Sequence, residues 1–303
     1  MVPYAFAGFL TLLFISPVPS MATEFPMPLP GNDTIGEIRT VSARYEDTLS
    51  DIARANDLGY LEITESNPGV DPWLPRDDLE VVLPTQYILP PGPREGIVIN
   101  LPELRIYYYP KGENRVITHP LGIGREGWST PTGLTRIIRK AANPAWYPPA
   151  SIRLEQEAAG TPLPAVVPAG PDNPLGEYAM YLGLSGYLLH GTNKPWGVGM
   201  RVSHGCIRLY PEDIASIFPR VPVGTKVRII NEPYKVGWTD GKLFLEAHQP
   251  LTEERDEEGI DFAPLVQEVV AALNSSELQP DWAALKRAVL HHLGIPVPIS
   301  FRP

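Results

Sequence analysis

Cysteine is almost absent. The 303-residue chain carries one, Cys206, which excludes any disulfide within the chain and leaves a thiol free for chemistry. Long apolar runs are absent too. The N-terminal stretch Tyr4–Ile15 is too short to span a bilayer comfortably, but it suits the core of a signal peptide. Ser20-Met21-Ala22 supplies small residues where a signal peptidase cuts, so residues 1–22 read as a signal peptide removed after Ala22. No Lys or Arg precedes the run, a departure from the usual pattern, and no cysteine follows it, which excludes a lipoprotein site. A basic excess is also missing. Twenty-five Lys and Arg stand against 35 Asp and Glu, a net charge of −10 with no basic stripe, so nucleic acid is excluded as a partner.

What is present is proline, at 36 residues, with 26 glycines and 43% hydrophobic content, which points to a loop-rich, mainly β globular protein. Residues 23–36 are proline-rich and polar and read as a linker. Residues 37–89 form a compact segment. Asp47 or Thr48 caps a short helix carrying Leu49, Ile52 and Ala53, a second helix covers Tyr60 to Glu65, and Leu79 to Leu83 is a closing strand. After Pro90-Pro91-Gly92-Pro93, strands are expected at 96–100, 104–109, 115–118, 133–139, 187–189 and 225–230, with a short helix at 211–218. Many short strands with Pro/Gly turns argue for a sandwich or barrel-like sheet and against a doubly wound α/β fold. The proline-dense stretch 143–174, helical at most around Leu154–Ala158, reads as a lid. Residues 232–303 read as a short helical C-terminal extension with two amphipathic helices. Phe262, Leu265, Val266, Val269, Val270 and Leu273 mark the first; Trp282, Leu285, Val289 and Leu293 mark the second, capped by Asp281 and stopped by Gly294. The acidic run Glu253 to Glu258 reads as a solvated linker. His291 and His292, at a helix end, complement the helix dipole rather than bind metal.

An exported unpaired thiol is a hazard unless it is used, and a histidine nearby turns it into a nucleophile. A free thiol has a pKa of about 8.5 and is mostly protonated at neutral pH, so it needs a base within reach. His190 lies at a strand end, and His204 is two residues from Cys206. Gly205 allows a sharp turn and close substrate approach. Successive amides of such a turn can form an oxyanion hole. The residues alone support nucleophilic catalysis; zinc bound by Cys206, His204 and His190, or an inert cysteine, are the alternatives.

His190-Gly191 followed by Ser203-His204-Gly205-Cys206-Ile207-Arg208 resembles the signature of the L,D-transpeptidase catalytic domain of the YkuD type. Gly96–Leu101, Leu104–Tyr109, Thr130–Gly133, Asn143–Trp146 and Gly170–Gly176 resemble that family too, which puts the catalytic domain at 95–231. Tyr45–Ala53, in its β-α-α-β setting, resembles a LysM peptidoglycan-binding module, with Glu46 where such modules usually carry glycine. A LysM-like module in front resembles the Gram-negative periplasmic branch. The resemblance implies a mixed-strand sheet with the nucleophile on a loop at one end, and a periplasmic location. It makes Cys206 the nucleophile and His190 its base. His204 and Ser203 shape the site, Gly191 orients a histidine through its carbonyl, Gly205 serves the oxyanion loop, and Arg208 supports loop or substrate. Thr192, Asn193 and Trp196 line the mouth. No metal or cofactor is implied. The implied donor is a peptidoglycan tetrapeptide stem that loses D-alanine. The acceptor is a second stem, a lysine of a wall-anchored lipoprotein, or water. Carbapenem-type inhibitors are expected to acylate Cys206. A stem-cutting L,D-carboxypeptidase and a non-catalytic wall-binding protein are the rival readings.

Overall fold

The computed structural model describes residues 23–254 and 261–303; the expected signal peptide and Arg255–Glu258 of the acidic run lie outside them. The chain begins with β1 (Thr23–Pro26), β2 (Thr34–Gly36) and β3 (Arg39–Ser42). Two helices follow, α1 (Leu49–Ala55) and α2 (Tyr60–Ser66), then β4 (Glu80–Leu83) and β5 (Gln86–Ile88). The central part holds β6 (Gly96–Asn100), β7 (Arg105–Tyr109), β8 (Arg115–Pro120), β9 (Ile123–Gly124) and β10 (Gly133–Ala142). After α3 (Ala150–Ala158) come β11 (Tyr178–Leu182), β12 (Leu188–His190), β13 (Arg201–Ser203) and β14 (Ile207–Arg208). Helix α4 (Pro211–Ile217) and β15 (Lys226–Ile230) close this part. The C-terminal part contains β16 (Tyr234–Thr239), β17 (Lys242–Ala247), α5 (Ala263–Leu273), β18 (Gln279–Pro280), α6 (Trp282–His291), β19 (Val297–Pro298) and β20 (Ser300–Phe301).

Among the described residues, the main sheet has nine strands in the order β1-β8-β7-β6-β15-β10-β11-β12-β14. It is mixed: β15 runs parallel to β6 and β12 parallel to β14, while the other neighbours are antiparallel. The period-2 alternation of strands sorts its side chains onto two faces. Ile97, Ile99, Ile106 and Ile117 join the larger core with Ile214 and Ile217 of α4. Val98, Tyr107, Tyr109 and Val116 face the other way and pack on Ile35, Tyr87 and Leu89. With both faces covered, strands β6 and β7 are apolar or aromatic almost throughout.

The expected linker at 23–36 is instead ordered. Strand β1 pairs with β8 at the sheet edge, and β2 pairs with β5. Phe25 sits edge-on against Tyr87 with centroids 6.3 Å apart, and Glu24 binds Arg115. Pro26 is tolerated because an edge strand can spare an amide donor. The β3-α1-α2-β4 order is as the sequence suggests, with β3 and β4 paired antiparallel around a small core of Leu49, Ile52, Ala53 and Ile63. Thr48 is the cap of α1. Its hydroxyl accepts from the Asp51 amide while the Asp51 carboxylate accepts from the Thr48 amide, each at 3.1 Å.

The C-terminal part is more than a helical extension. Strands β16 and β17 form a hairpin turned by Asp240 and Gly241, whose φ values of 48° and 71° are those of the tight turn an Asp-Gly pair favours. Helices α5 and α6 pack Leu265, Val269, Leu285 and Val289 onto Leu243 and Leu245 of that hairpin. Asp281 caps α6 as expected, its carboxylate accepting from the Ala284 amide at 2.9 Å. No helix of the described residues is long and apolar enough to cross a membrane.

Candidate active site

The site is built on the last three strands of the main sheet. Parallel pairing sets Leu189 opposite Ile207 and His190 opposite Arg208. The same register puts Leu188 beside Cys206. Leu189 and Ile207 point into the core, so by alternation Leu188, His190, Cys206 and Arg208 face the opposite side. That side is an open groove of about 970 Å³ lined by, among others, His190, Cys206, Arg208, Asn193, Ser203 and His204. His190 and Cys206, sixteen positions apart in sequence, are thus brought to neighbouring positions on one floor.

Cys206 emerges from a tight turn. Gly205 has φ +97°, and a methyl group there would meet Tyr187 Cε1 at 2.9 Å, so glycine is required on two counts. The Ser203 hydroxyl donates to the Cys206 carbonyl at 2.6 Å and accepts from the Gly205 amide at 3.1 Å. Thr130 donates to the Gly205 carbonyl at 2.8 Å. Ser203 is therefore a brace of the turn, and the Gly205 amide is spent on it. The Cys206 thiol donates to the Gly186 carbonyl at 3.5 Å.

His190 is buried, and its Nδ1–H donates to the Gly191 carbonyl at 2.5 Å. That bond fixes the tautomer and leaves Nε2 as the basic nitrogen. Burial, reinforced by the Arg208 cation, pushes the His190 pKa down to about 3, so the ring is neutral. Burial pushes the Cys206 thiol up, against the Leu188 amide and Arg208, which pull it down. The resting pair is thiol and imidazole, not thiolate and imidazolium. Burial also lowers the pKa of Arg208, whose Nε is buried without a partner.

His204 lines the same groove and is bonded to the stretch 143–174. Its Nε2 lies 2.9 Å from Glu155 on α3 and 3.3 Å from Arg125, and its ring stands edge-on to Trp128 with centroids 4.8 Å apart. Arg125 also pairs with Glu155, and this bond chiefly holds the Glu155 carboxyl below its ordinary range. The expected lid thus reaches the nucleophile loop through one carboxylate. Its base is pinned by the buried Asn173 amide, which donates to the carbonyls of Pro144, Val167 and Pro168. Of the expected mouth residues, Asn193 lines the groove with a buried Oδ1 that has no partner. Thr192 is buried and accepts from the Lys194 amide. Trp196 is exposed and is not among the groove-lining residues. The donor atoms of Cys206, His190 and His204 do not converge at metal-ligand spacing. Sequence reasoning missed Glu155, Arg125 and Trp128. Glu155 lies 49 positions from His204, and no local pattern links the two.

A mixed sheet with a histidine and a cysteine on the ends of parallel neighbours defines a class of thiol site, and comparison with known proteins gives the class its family. Residues 94–229 match the L,D-transpeptidase catalytic domain, YkuD. The chain is 43% identical over 284 residues to "Probable L,D-transpeptidase YbiS" of Escherichia coli strain K12, covering 92% of each chain. It is 48% identical over 247 residues to "Probable L,D-transpeptidase YcfS" of the same strain, covering 80% of this chain and 77% of that one. To "Probable L,D-transpeptidase ErfK/SrfK" of that strain it is 41% identical over 296 residues, covering 95% and 94%. The chain belongs to the L,D-transpeptidase family.

Proposed function

We propose that this protein is a periplasmic peptidoglycan L,D-transpeptidase in which Cys206 is the nucleophile and His190 the general base. The observation that carries the reading is the register of β12 against β14, which gathers a thiol, a tautomer-fixed neutral imidazole and an unpaired arginine on one groove floor.

Sulfur attacks the diaminopimelate carbonyl of a tetrapeptide stem as the thiol proton passes to His190 Nε2. The developing oxyanion is met by the Cys206 amide, the donor left in a turn whose Gly205 amide serves Ser203, and by the Arg208 cation. Collapse breaks the bond to D-alanine, whose nitrogen takes the proton from His190. The thioester is then attacked by an amine that returns a proton to His190, and sulfur leaves and is reprotonated. A diaminopimelate amine as acceptor gives a 3→3 cross-link, a lipoprotein lysine gives protein anchoring, and water gives carboxypeptidase activity. The βααβ module, read as LysM-like, presents the catalytic groove to wall glycan. A carbapenem-type inhibitor acylates the same sulfur.

The test is to incubate the mature protein with a disaccharide-tetrapeptide and record products and adducts by intact mass spectrometry. Loss of D-alanine with a dimer, or a thioester absent in Cys206→Ala, supports transpeptidation. A folded wild-type enzyme that forms neither adduct nor product overturns it.

A further inference from the structure

The groove extends well beyond Cys206, and its far end carries a feature the transfer chemistry does not use. Strand β10 has a bulge where it pairs with β11: Ile137 is opposite Leu182, yet Arg139 is already opposite Tyr181. Two residues on one strand answer one on the other, which re-aims side chains locally. Ile137 and Leu182 point into the core, whereas Ile138 and Arg139 both line the groove, as does Tyr181. The row continues through Leu188, the partner of Tyr181, to Cys206 beside it. Arg139, Tyr181, Leu188 and Cys206 therefore form one transverse line across four strands. Three strand spacings place Arg139 about 14 Å along the floor from the nucleophile.

The guanidinium of Arg139 lies 3.5 Å from the centroid of the Tyr181 ring. Stacking occupies its flat face and leaves its N–H edge free. No hydrogen bond or ion pair to that edge is present among the described residues. The groove is also cationic in a protein whose net charge is −10: Arg139, Lys194 and Arg208 line it against the single carboxylate of Asp172. A fixed, unpaired guanidinium edge is suited to a carboxylate taken bidentately.

We infer that Arg139, held by Tyr181, is a specificity-determining residue that binds a free carboxylate of the stem peptide. This rests on the transpeptidase reading for its substrate. Two stem carboxylates can supply it: the one left free at the second residue by its γ-linkage, and the distal one of diaminopimelate.

Binding is measured calorimetrically on Cys206→Ala, so turnover is not required. The probes are the tetrapeptide, the same peptide amidated at the second-residue carboxyl, and one amidated at the distal diaminopimelate carboxyl. One amidation is expected to weaken binding about 10- to 100-fold, and it identifies the carboxylate. In Arg139→Ala that penalty disappears while the unmodified peptide binds about as weakly as the amidated one; Arg139→Lys restores part of the affinity. In enzyme with Cys206 intact, Arg139→Ala raises KM for the stem. An amidation penalty of the same size in Arg139→Ala, or no penalty in either protein, overturns the inference. If carboxylate-dependent binding is present but wild-type enzyme forms no adduct, the transpeptidase reading fails and the carboxylate site stands.

Discussion

The His190–Cys206 pair has a consequence for pH. Enzymes that rest as a thiolate–imidazolium pair keep a plateau of reactivity between two pKa values. Here burial drives the two groups apart, the imidazole down to about 3 and the thiol up. Deprotonation of sulfur is then the limiting equilibrium at neutral pH, and the second-order rate of acylation by a carbapenem should climb with pH from 6 to 9. Stopped-flow absorbance of the lactam would read it, and a flat profile over that range would show an ion pair at rest. Gly205 is the second residue whose role is sharp. Gly205→Ala forces a side chain into φ +97° at a cost of about 1–2 kcal/mol and drives a methyl group into Tyr187. A urea melt should show that loss, and misplacement of the sulfur should slow acylation about 10- to 100-fold. Unchanged stability and rate would mean that the turn tolerates a different shape. The thiol, His204 and Gly205 are legible in the sequence because they sit in one short motif, and His190 because a second short motif, His190-Gly191, precedes it. Glu155 was not, since only the folded lid brings it to His204.

At the scale of elements, helix α3 has no buried residues, yet it contributes the carboxylate that bridges His204 and Arg125. A half-buried polar bridge from Glu155 therefore ties the expected lid to the nucleophile loop. Glu155→Ala should release it, admitting water to the thioester and raising hydrolysis relative to transfer a few-fold. Chromatography of tripeptide against cross-linked dimer measures the ratio. An unchanged ratio with unchanged kcat/KM would leave the bridge without a role in partitioning. Elements with strong local signals were readable: the Thr48 cap, the apolar runs of β6 and β7, and the periodic faces of α5 and α6. Strand β1 is not legible in the sequence because proline and polar residues mask its pairing with β8, a contact about ninety residues away. The β16–β17 hairpin does have a local signal, Asp240-Gly241 between Trp238 and Leu243, set against the helical pattern that dominates the rest of the C-terminal part. The bulge at Ile138 has no sequence mark at all, because it depends on the partner strand.

At the scale of the whole molecule, buried charge pairs join the parts alongside their apolar contacts. Arg105 on β7 is fully buried against Glu62 of α2 at 2.8 Å and donates to the Asp57 carbonyl at 2.8 Å. Lys235 of β16 is equally buried between Glu103 and Glu246, at 2.8 and 2.9 Å, and ties the C-terminal part to the sheet. Breaking such a pair on one side strands a charge in the interior, which makes these contacts specific to one arrangement of the parts. The most telling junction is His119 on β8, whose Nδ1 lies 3.2 Å from Asp57 of the N-terminal module and 3.3 Å from Asp213 of α4. Although burial opposes it, the two carboxylates raise the His119 pKa to about 10. A histidine raised above its unfolded value of about 6.5 stabilises the fold fully below that pH, and the contribution fades as pH climbs through 10. Asp213, raised by burial to about 7, works in the same direction, since its folded form gives up stability as pH rises from 3.8. The junction is therefore firmest in weak acid and loosens in alkali. His119→Gln should be less stable than wild type by a margin that is largest near pH 6 and narrows steadily toward pH 10, read as the difference in urea midpoints across the range. A margin that stays constant with pH would mean that His119 acts by shape alone and carries no proton between the two carboxylates.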